Sequence, residues 1–121
     1  MECTIEVDID SHPSLYAEKL VKARKECTCC ECRDKIPIGS EYEYVSGLWN
    51  GHFDSFRTCI VCKEIRDKIF CSWTFEEIWA TLYEEFLNSG LGICQVQGLS
   101  QKAIEKLSDY ISQWLKFEEE S

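Results

Sequence analysis

The hydrophobic and polar positions of the chain change period along its length, and each change marks an element. Residues 2–10 alternate, with Cys3, Ile5, Val7 and Ile9 on one side and Glu2, Thr4, Glu6, Asp8 and Asp10 on the other. Period two predicts a half-buried strand with an acidic outer face. Ser11-His12-Pro13 reads as a turn or helix start. Residues 15–26 are then expected to form a short helix, with Leu15, Tyr16, Leu20 and Ala23 toward the core. Its end carries Lys19, Lys22, Arg24 and Lys25, and cations there complement a helix dipole.

Two strand-like runs follow at 41–49 and 52–58, joined by Asn50-Gly51. Asn-Gly between such runs is a strong hairpin signal, because a type I′ turn wants positive φ at both central positions. A two-residue loop pairs Trp49 with His52, Gly47 with Asp54 and Val45 with Phe56. Tyr42, Tyr44, Phe53 and Phe56 are expected to cover the sheet.

Helical spacing governs the rest. Cys59-Ile60-Val61-Cys62 opens a helix to about Phe70, with Ile65 and Ile69 inward. In 72–88, Phe75, Ile78, Trp79, Leu82, Phe86 and Leu87 fall on one stripe. Thr74 and Glu77 form a capping box there, and Trp73 staples to Ile78. A last helix begins after Ser100, with Ile104, Leu107, Ile111, Trp114 and Leu115 inward and Leu99 stapled to Ile104. The fold class is α+β. Residues 1–71 read as a metal-binding module and 72–121 as a helical extension packed on it in one compact domain.

The 121 residues are 45% hydrophobic and 12% aromatic, enough for one small domain with a true core. No apolar run approaches the ~20 residues that span a bilayer. No basic stretch followed by an apolar one opens the chain, so a cytoplasmic site is expected. The formal net charge is −9. Such a field repels phosphate, which weighs against nucleic acid and favours a protein partner with a basic surface.

Nine cysteines change the picture most. An odd count without an export signal argues for metal rather than disulfides. Cys29-x2-Cys32 and Cys59-x2-Cys62 have knuckle spacing and are 26 residues apart. Two such knuckles supply four thiolates to one tetrahedral Zn²⁺. Knuckle, hairpin, then a helix carrying the second pair is the order of a treble clef. The run Cys32-Arg-Asp-Lys-Ile36-Pro-Ile-Gly39 resembles the stretch after the first knuckle in many such modules, which implies that Ile36 packs beneath the metal and Gly39 turns the chain into the hairpin. Pairing Cys27 with Cys30 instead misplaces Ile36. Cys3, Cys27, Cys30 and Cys71 remain, together with Cys94. The first four either form a second metal site or serve as small buried hydrophobes; spacing leaves both readings open. Cys94 reads as an ordinary buried residue.

A closed four-cysteine site does no chemistry by itself. Only His12 and His52 are present, too few for the His sets of metal-dependent nucleases, and no Ser-His-Asp set, P-loop or dinucleotide glycine motif occurs. The expectation is a non-enzymatic protein without catalytic residues. A degenerate His-metal nuclease using His52 is the least favoured alternative. Glu76, Glu77, Glu84 and Glu85 make one side of the 72–88 helix acidic and are the candidate partner-binding residues. The competing reading is a nucleic-acid-binding regulator acting through Lys19 to Lys25 with Arg33 and Lys35. Four tryptophans leave room for a homodimer.

Several stretches carry a resemblance. They are Ala23-Arg-Lys-Glu-Cys-Thr-Cys-Cys-Glu-Cys32, Ile36-Pro-Ile-Gly39, Tyr42-Glu-Tyr-Val-Ser-Gly-Leu-Trp-Asn-Gly51, Thr58-Cys-Ile-Val-Cys62 and Glu64-Ile-Arg66. Over about residues 14–86 the chain resembles small zinc-finger-like proteins encoded in phage and prophage genomes. Members of that family often have His where this chain has Cys27, which implies a metal-compatible role at that position. The resemblance implies phage origin, the cytoplasm of an infected cell and a host or phage partner. Inhibition of a host-defence or nucleic-acid-processing complex would suit it. It implies no enzymatic activity. The module also resembles LIM-type and PARP-type zinc modules at the level of fold alone.

Overall fold

The computed structural model describes residues 15–49, 51–70, 73–88 and 96–120. The expected strand at 2–10, and with it Cys3, lies outside them, as do Cys71 and Cys94.

The first described element corrects an expectation. Residues Leu15–Lys22 form a strand, β1, rather than the start of a helix. All eight residues pair antiparallel with the strand β4 (Glu41–Trp49), from Leu15 opposite Leu48 to Lys22 opposite Glu41. The reason is tertiary. Without β1, one edge of β4 would present unpaired backbone groups, and pairing it outweighs a weak local helical preference. Leu20, assigned to a buried helical stripe, is 52% exposed. At the end of β1 the Ala23 N–H donates to the Ser40 carbonyl at 2.9 Å, and the Ala23 carbonyl accepts from Gly39 N–H at 2.8 Å. Gly39, at φ +88°, supplies the left-handed residue that this turn requires.

The hairpin register is the expected one. Strand β5 (His52–Cys59) pairs with β4, placing Trp49 opposite His52, Gly47 opposite Asp54 and Val45 opposite Phe56. The three-stranded sheet has the order β1-β4-β5. Along β4, Glu43, Val45 and Gly47 are buried while Tyr42, Tyr44 and Ser46 are half-buried on the opposite face. Phe53 does not cover the sheet; it is 75% exposed. Phe56 instead stacks on Phe75 with ring centroids 4.6 Å apart, and Trp49 meets both rings edge-on. A two-stranded ribbon, β2 (Cys27–Thr28) with β3 (Lys35–Ile36), carries the first knuckle at its tip.

Strand β5 runs directly into helix α1 (Ile60–Ile69), whose Ile65 and Ile69 are fully buried as expected. Arg66 on the same helix is also buried. It reaches the buried Glu43 of β4 through two parallel hydrogen bonds, Nη1 to Oε1 at 2.7 Å and Nη2 to Oε2 at 2.9 Å. Its guanidinium also lies 4.4 Å from the Trp73 ring centroid.

Helix α2 (Ile78–Asn88) begins later than the sequence suggests. Glu76 sits at φ +73°, outside helical geometry, so the Thr74–Glu77 capping box does not form. The cap comes from a distant carboxylate. Glu31 accepts from Glu76 N–H at 2.9 Å and from Ile78 N–H at 3.3 Å. Such a carboxylate meets two of the unsatisfied donors that every helix start presents.

Helix α3 (Gln101–Glu120) is capped by Ser100, whose Oγ accepts from Ala103 N–H at 3.3 Å. Its inner stripe is rotated from the expected one. Ala103 and Leu107 are buried, whereas Ile104 and Leu115 are 40% and 51% exposed. The small Ala103 faces the core, and Tyr110 stacks flat on Trp79 at 3.7 Å between centroids. Trp114 joins this second aromatic cluster beside Tyr83 and Phe86. No helix among the described residues is long and apolar enough to cross a membrane.

Candidate metal centre

Cys29 and Cys32 sit in the turn between β2 and β3. Cys29 N–H donates to the Asp34 carbonyl at 2.9 Å and Arg33 N–H to the Cys29 carbonyl at 3.1 Å. These bonds close the turn, with Arg33 at φ +67° just past Cys32. Cys59 is the N-cap of α1 and Cys62 lies in its first turn, where Cys62 N–H donates to Cys59 Sγ at 3.4 Å. The four sulfurs converge. All lie within 4.8 Å of one another, and Cys32 Sγ is 3.9 Å from Cys59 Sγ. A tetrahedron with Zn–S bonds of about 2.3 Å has sulfurs about 3.8 Å apart, so the spacing suits one ion. Ile36 belongs to the same buried cluster as Cys29 and Cys62.

Further donors surround the sulfurs. Cys29 Sγ accepts from the N–H groups of Glu31 and Cys59, both at 3.4 Å. The indole Nε1 of Trp79 donates to Cys62 Sγ at 3.4 Å. Lys106 of α3 binds Asp34 at 2.7 Å beside the knuckle. Burial pulls the pKa of this ammonium down, but Asp34 and the Cys32 and Cys62 sulfurs more than offset that and hold it above the usual range. These groups orient the sulfurs and disperse their charge, the part usually played by the shell around metal ligands.

The thiols titrate as a unit. Hydrogen bonds from Cys32, Cys59 and Cys62 hold Cys29 far below the ordinary thiol range. Cys59 and Cys62 are pushed far above it, chiefly by the same neighbouring sulfurs. The bond to Cys29 raises Cys32, but its bonds to Cys59 and Cys62 more than offset this and lower it to about 7. The cluster therefore gives up two protons more readily than an ordinary thiol does and resists the other two. Four thiolates coexist there only if a cation supplies the opposing charge. The centre is a buried four-cysteine group suited to one metal ion.

The other candidate residues are placed differently. Cys30 turns away from the cluster, with its Sγ 3.5 Å from Thr58 Oγ1 and 3.6 Å from Glu31. Burial, with the charges of Glu31 and Cys29, outweighs the Thr58 bond and pushes its pKa up to about 12. Cys30 is thus a neutral thiol at physiological pH. Cys27 is half-buried against the core. Among the described residues neither joins a metal-binding group, and Cys3 and Cys71 lie outside them. His52 is exposed at the hairpin tip. Glu76, Glu77 and Glu84 are exposed and Glu85 is half-buried; Glu76 pairs with Arg33 at 3.2 Å. Lys35 binds Thr28 Oγ1, and neither Arg33 nor Lys35 lines the groove shared by Lys19, Lys22, Arg24 and Lys25. Sequence reasoning missed Glu31, Trp79, Lys106 and the Glu43–Arg66 pair. Only Glu31 carried a signal, as a carboxylate lodged between two ligand positions.

No protein-family model, curated protein or solved structure matches the chain.

Proposed function

We propose that the chain is a zinc-stabilised, non-catalytic binding module of the treble-clef type. The observation that carries this reading is the closure of the centre. Cys29 and Cys62 are fully buried, and all four ligand positions are sulfurs. An all-protein tetrahedron of this kind leaves no position for water or substrate, which separates structural from catalytic zinc. Support for the treble-clef form is the order of parts: knuckle, hairpin, then a helix with the second ligand pair in its first turn.

The zinc holds a rigid scaffold, and the acidic side of α2 is the surface offered to a partner. The partner is a host or phage protein with a basic face, such as a nucleic-acid-processing or defence enzyme whose groove normally takes phosphate. Charge complementarity of this sort accelerates docking and weakens with salt. Capture from nuclease-treated lysate by the tagged, zinc-replete protein tests the reading. A stoichiometric protein partner that is lost at high salt and lost with Glu77→Lys/Glu84→Lys is expected. A partner retained equally by that variant contradicts the assignment of this face.

A further inference from the structure

The outer face of the sheet carries a groove that neither the metal centre nor the acidic helix explains. Its volume is about 830 Å³, and it is lined by Lys19, Lys22, Arg24, Lys25 and Arg57 with a single carboxylate, Glu26. The chain holds 13 Lys and Arg against 22 Asp and Glu; here five of the cations meet one acid, so the local sign is reversed. Among the described residues none of these five is held in an ion pair. Besides Glu26, strand pairing brings Glu41 opposite Lys22, which still leaves the cations in excess.

Strand pairing builds the site. In the antiparallel register Lys19 lies opposite Tyr44, and Tyr44 lies opposite Arg57. Opposed residues share a face. A tyrosine ring is therefore flanked by cations on both neighbouring strands, about 10 Å apart at the usual strand spacing. The Arg57 guanidinium lies 5.3 Å from the Tyr44 ring centroid, extending its flat surface. Tyr42, opposite Val21, lines the groove one row further on. Lys22, Arg24 and Lys25 close its end. The sequence suggested a helix here, which would have spread these cations around a cylinder. The strand and the turn after it gather them instead.

We infer that this face binds single-stranded nucleic acid, with bases on Tyr44 and Tyr42 and phosphates on Lys19, Lys22, Arg24 and Arg57. Aromatic platforms between cations on an open sheet suit splayed bases. A duplex hides its base faces, and among the described residues none that lines the groove lies on a helix that could enter a duplex groove. An acidic peptide would meet the cations but has no use for the paired ring platforms. This site is separate from the acidic face of α2, so its failure leaves the protein-binding reading standing.

The test is fluorescence anisotropy of a labelled oligo(dT) of about 10 nucleotides with the zinc-replete full chain. Binding at low salt is expected, falling with a log–log salt slope of about −3 for four phosphate contacts. Lys22→Glu/Arg24→Glu, both exposed, should weaken it more than about tenfold, and Tyr44→Ala about fivefold or more. Lys102→Glu on α3 should leave it unchanged. Zinc retention and circular dichroism confirm that each variant is folded. Absence of binding at low salt overturns the inference, as does equal loss from Lys102→Glu. Equal competition by polyglutamate and by unlabelled oligo(dT) also overturns it, assigning the groove to acidic polymers in general.

Discussion

Two of the places where the described residues bury charge are solved in opposite ways. At the four-cysteine centre every ligand has the same sign when ionised, so the cluster is compatible with its own burial only if a cation joins it. At the Glu43–Arg66 pair, carboxylate and guanidinium meet in a bidentate fork, 3% and 1% exposed at their side chains, and neutralise one another without help. Asp67 and the Trp73 ring complete the guanidinium's surroundings. Every buried polar side-chain atom among the described residues has a partner. One site is thus suited to an outside component, a metal ion, whereas the other is neutralised by the chain alone. The two share helix α1, which brings Cys62 and Arg66 to the core one turn apart.

Breaking the conditional site should have the larger effect. Structural zinc contributes on the order of 10 kcal/mol of apparent folding free energy in small domains. Chelation, or Cys62→Ser, is expected to abolish the cooperative thermal transition of the hairpin and α1, read by circular dichroism. An unchanged melting curve after chelation would remove Cys62 as a ligand. Breaking the self-sufficient site is expected to cost about 3–5 kcal/mol, because Arg66→Ala leaves Glu43 buried and unpaired. Replacing both partners, as in Glu43→Leu/Arg66→Met, should recover much of that loss. A double variant as unstable as Arg66→Ala would show that the pair contributes more than mutual neutralisation. Chemical denaturation of the zinc-loaded protein measures both.

A finer probe separates ligand from supporting shell. Trp79→Phe removes the N–H directed at Cys62 Sγ while keeping most of the packing on Tyr110. The expected loss is about 1 kcal/mol of stability together with weaker zinc retention in competition with a chelator. Unaltered retention would reduce Trp79 to a packing residue. A last probe is alkaline pH. Burial pushes both the Cys30 thiol and the Tyr110 hydroxyl up to about 12 from ordinary values of 9.0 and 10.0. Between those values and 12 the folded chain binds more protons than the unfolded one, so stability must fall as pH rises through that window. Denaturant midpoints at about pH 8 and about pH 10.5 should show the decline, and Tyr110→Phe should lessen it. A midpoint that rises with pH would contradict the burial of these groups.

The two buried sites also differ in how far the sequence revealed them. C-x2-C spacing reflects local geometry: a knuckle can be built from its own backbone, and Ile36 and Gly39 fix its register. The Asn50-Gly51 turn likewise set the whole hairpin register, because one loop length determines every pair after it. Glu43 and Arg66 carry no such signature, since their contact spans a strand and a helix and each alone reads as a surface charge. The same limit explains the errors in the elements. Strand β1 exists because β4 offers it an edge, which residues 15–22 do not state. The start of α2 is set by Glu31 from another part of the chain, so local capping rules placed it too early. The inner stripe of α3 follows the close approach of Ala103, although the larger Ile104 fits the periodic pattern better.

The central claim is that one zinc ion, held by Cys29, Cys32, Cys59 and Cys62 alone, completes the fold. Native mass spectrometry of the purified chain, of Cys30→Ser and of Cys62→Ser tests it most directly. One zinc per chain in the first two, and none in a Cys62→Ser chain that has lost its compact charge-state distribution, is the predicted result. A compact metal-free wild-type chain, or a zinc that disappears with Cys30→Ser, would contradict it.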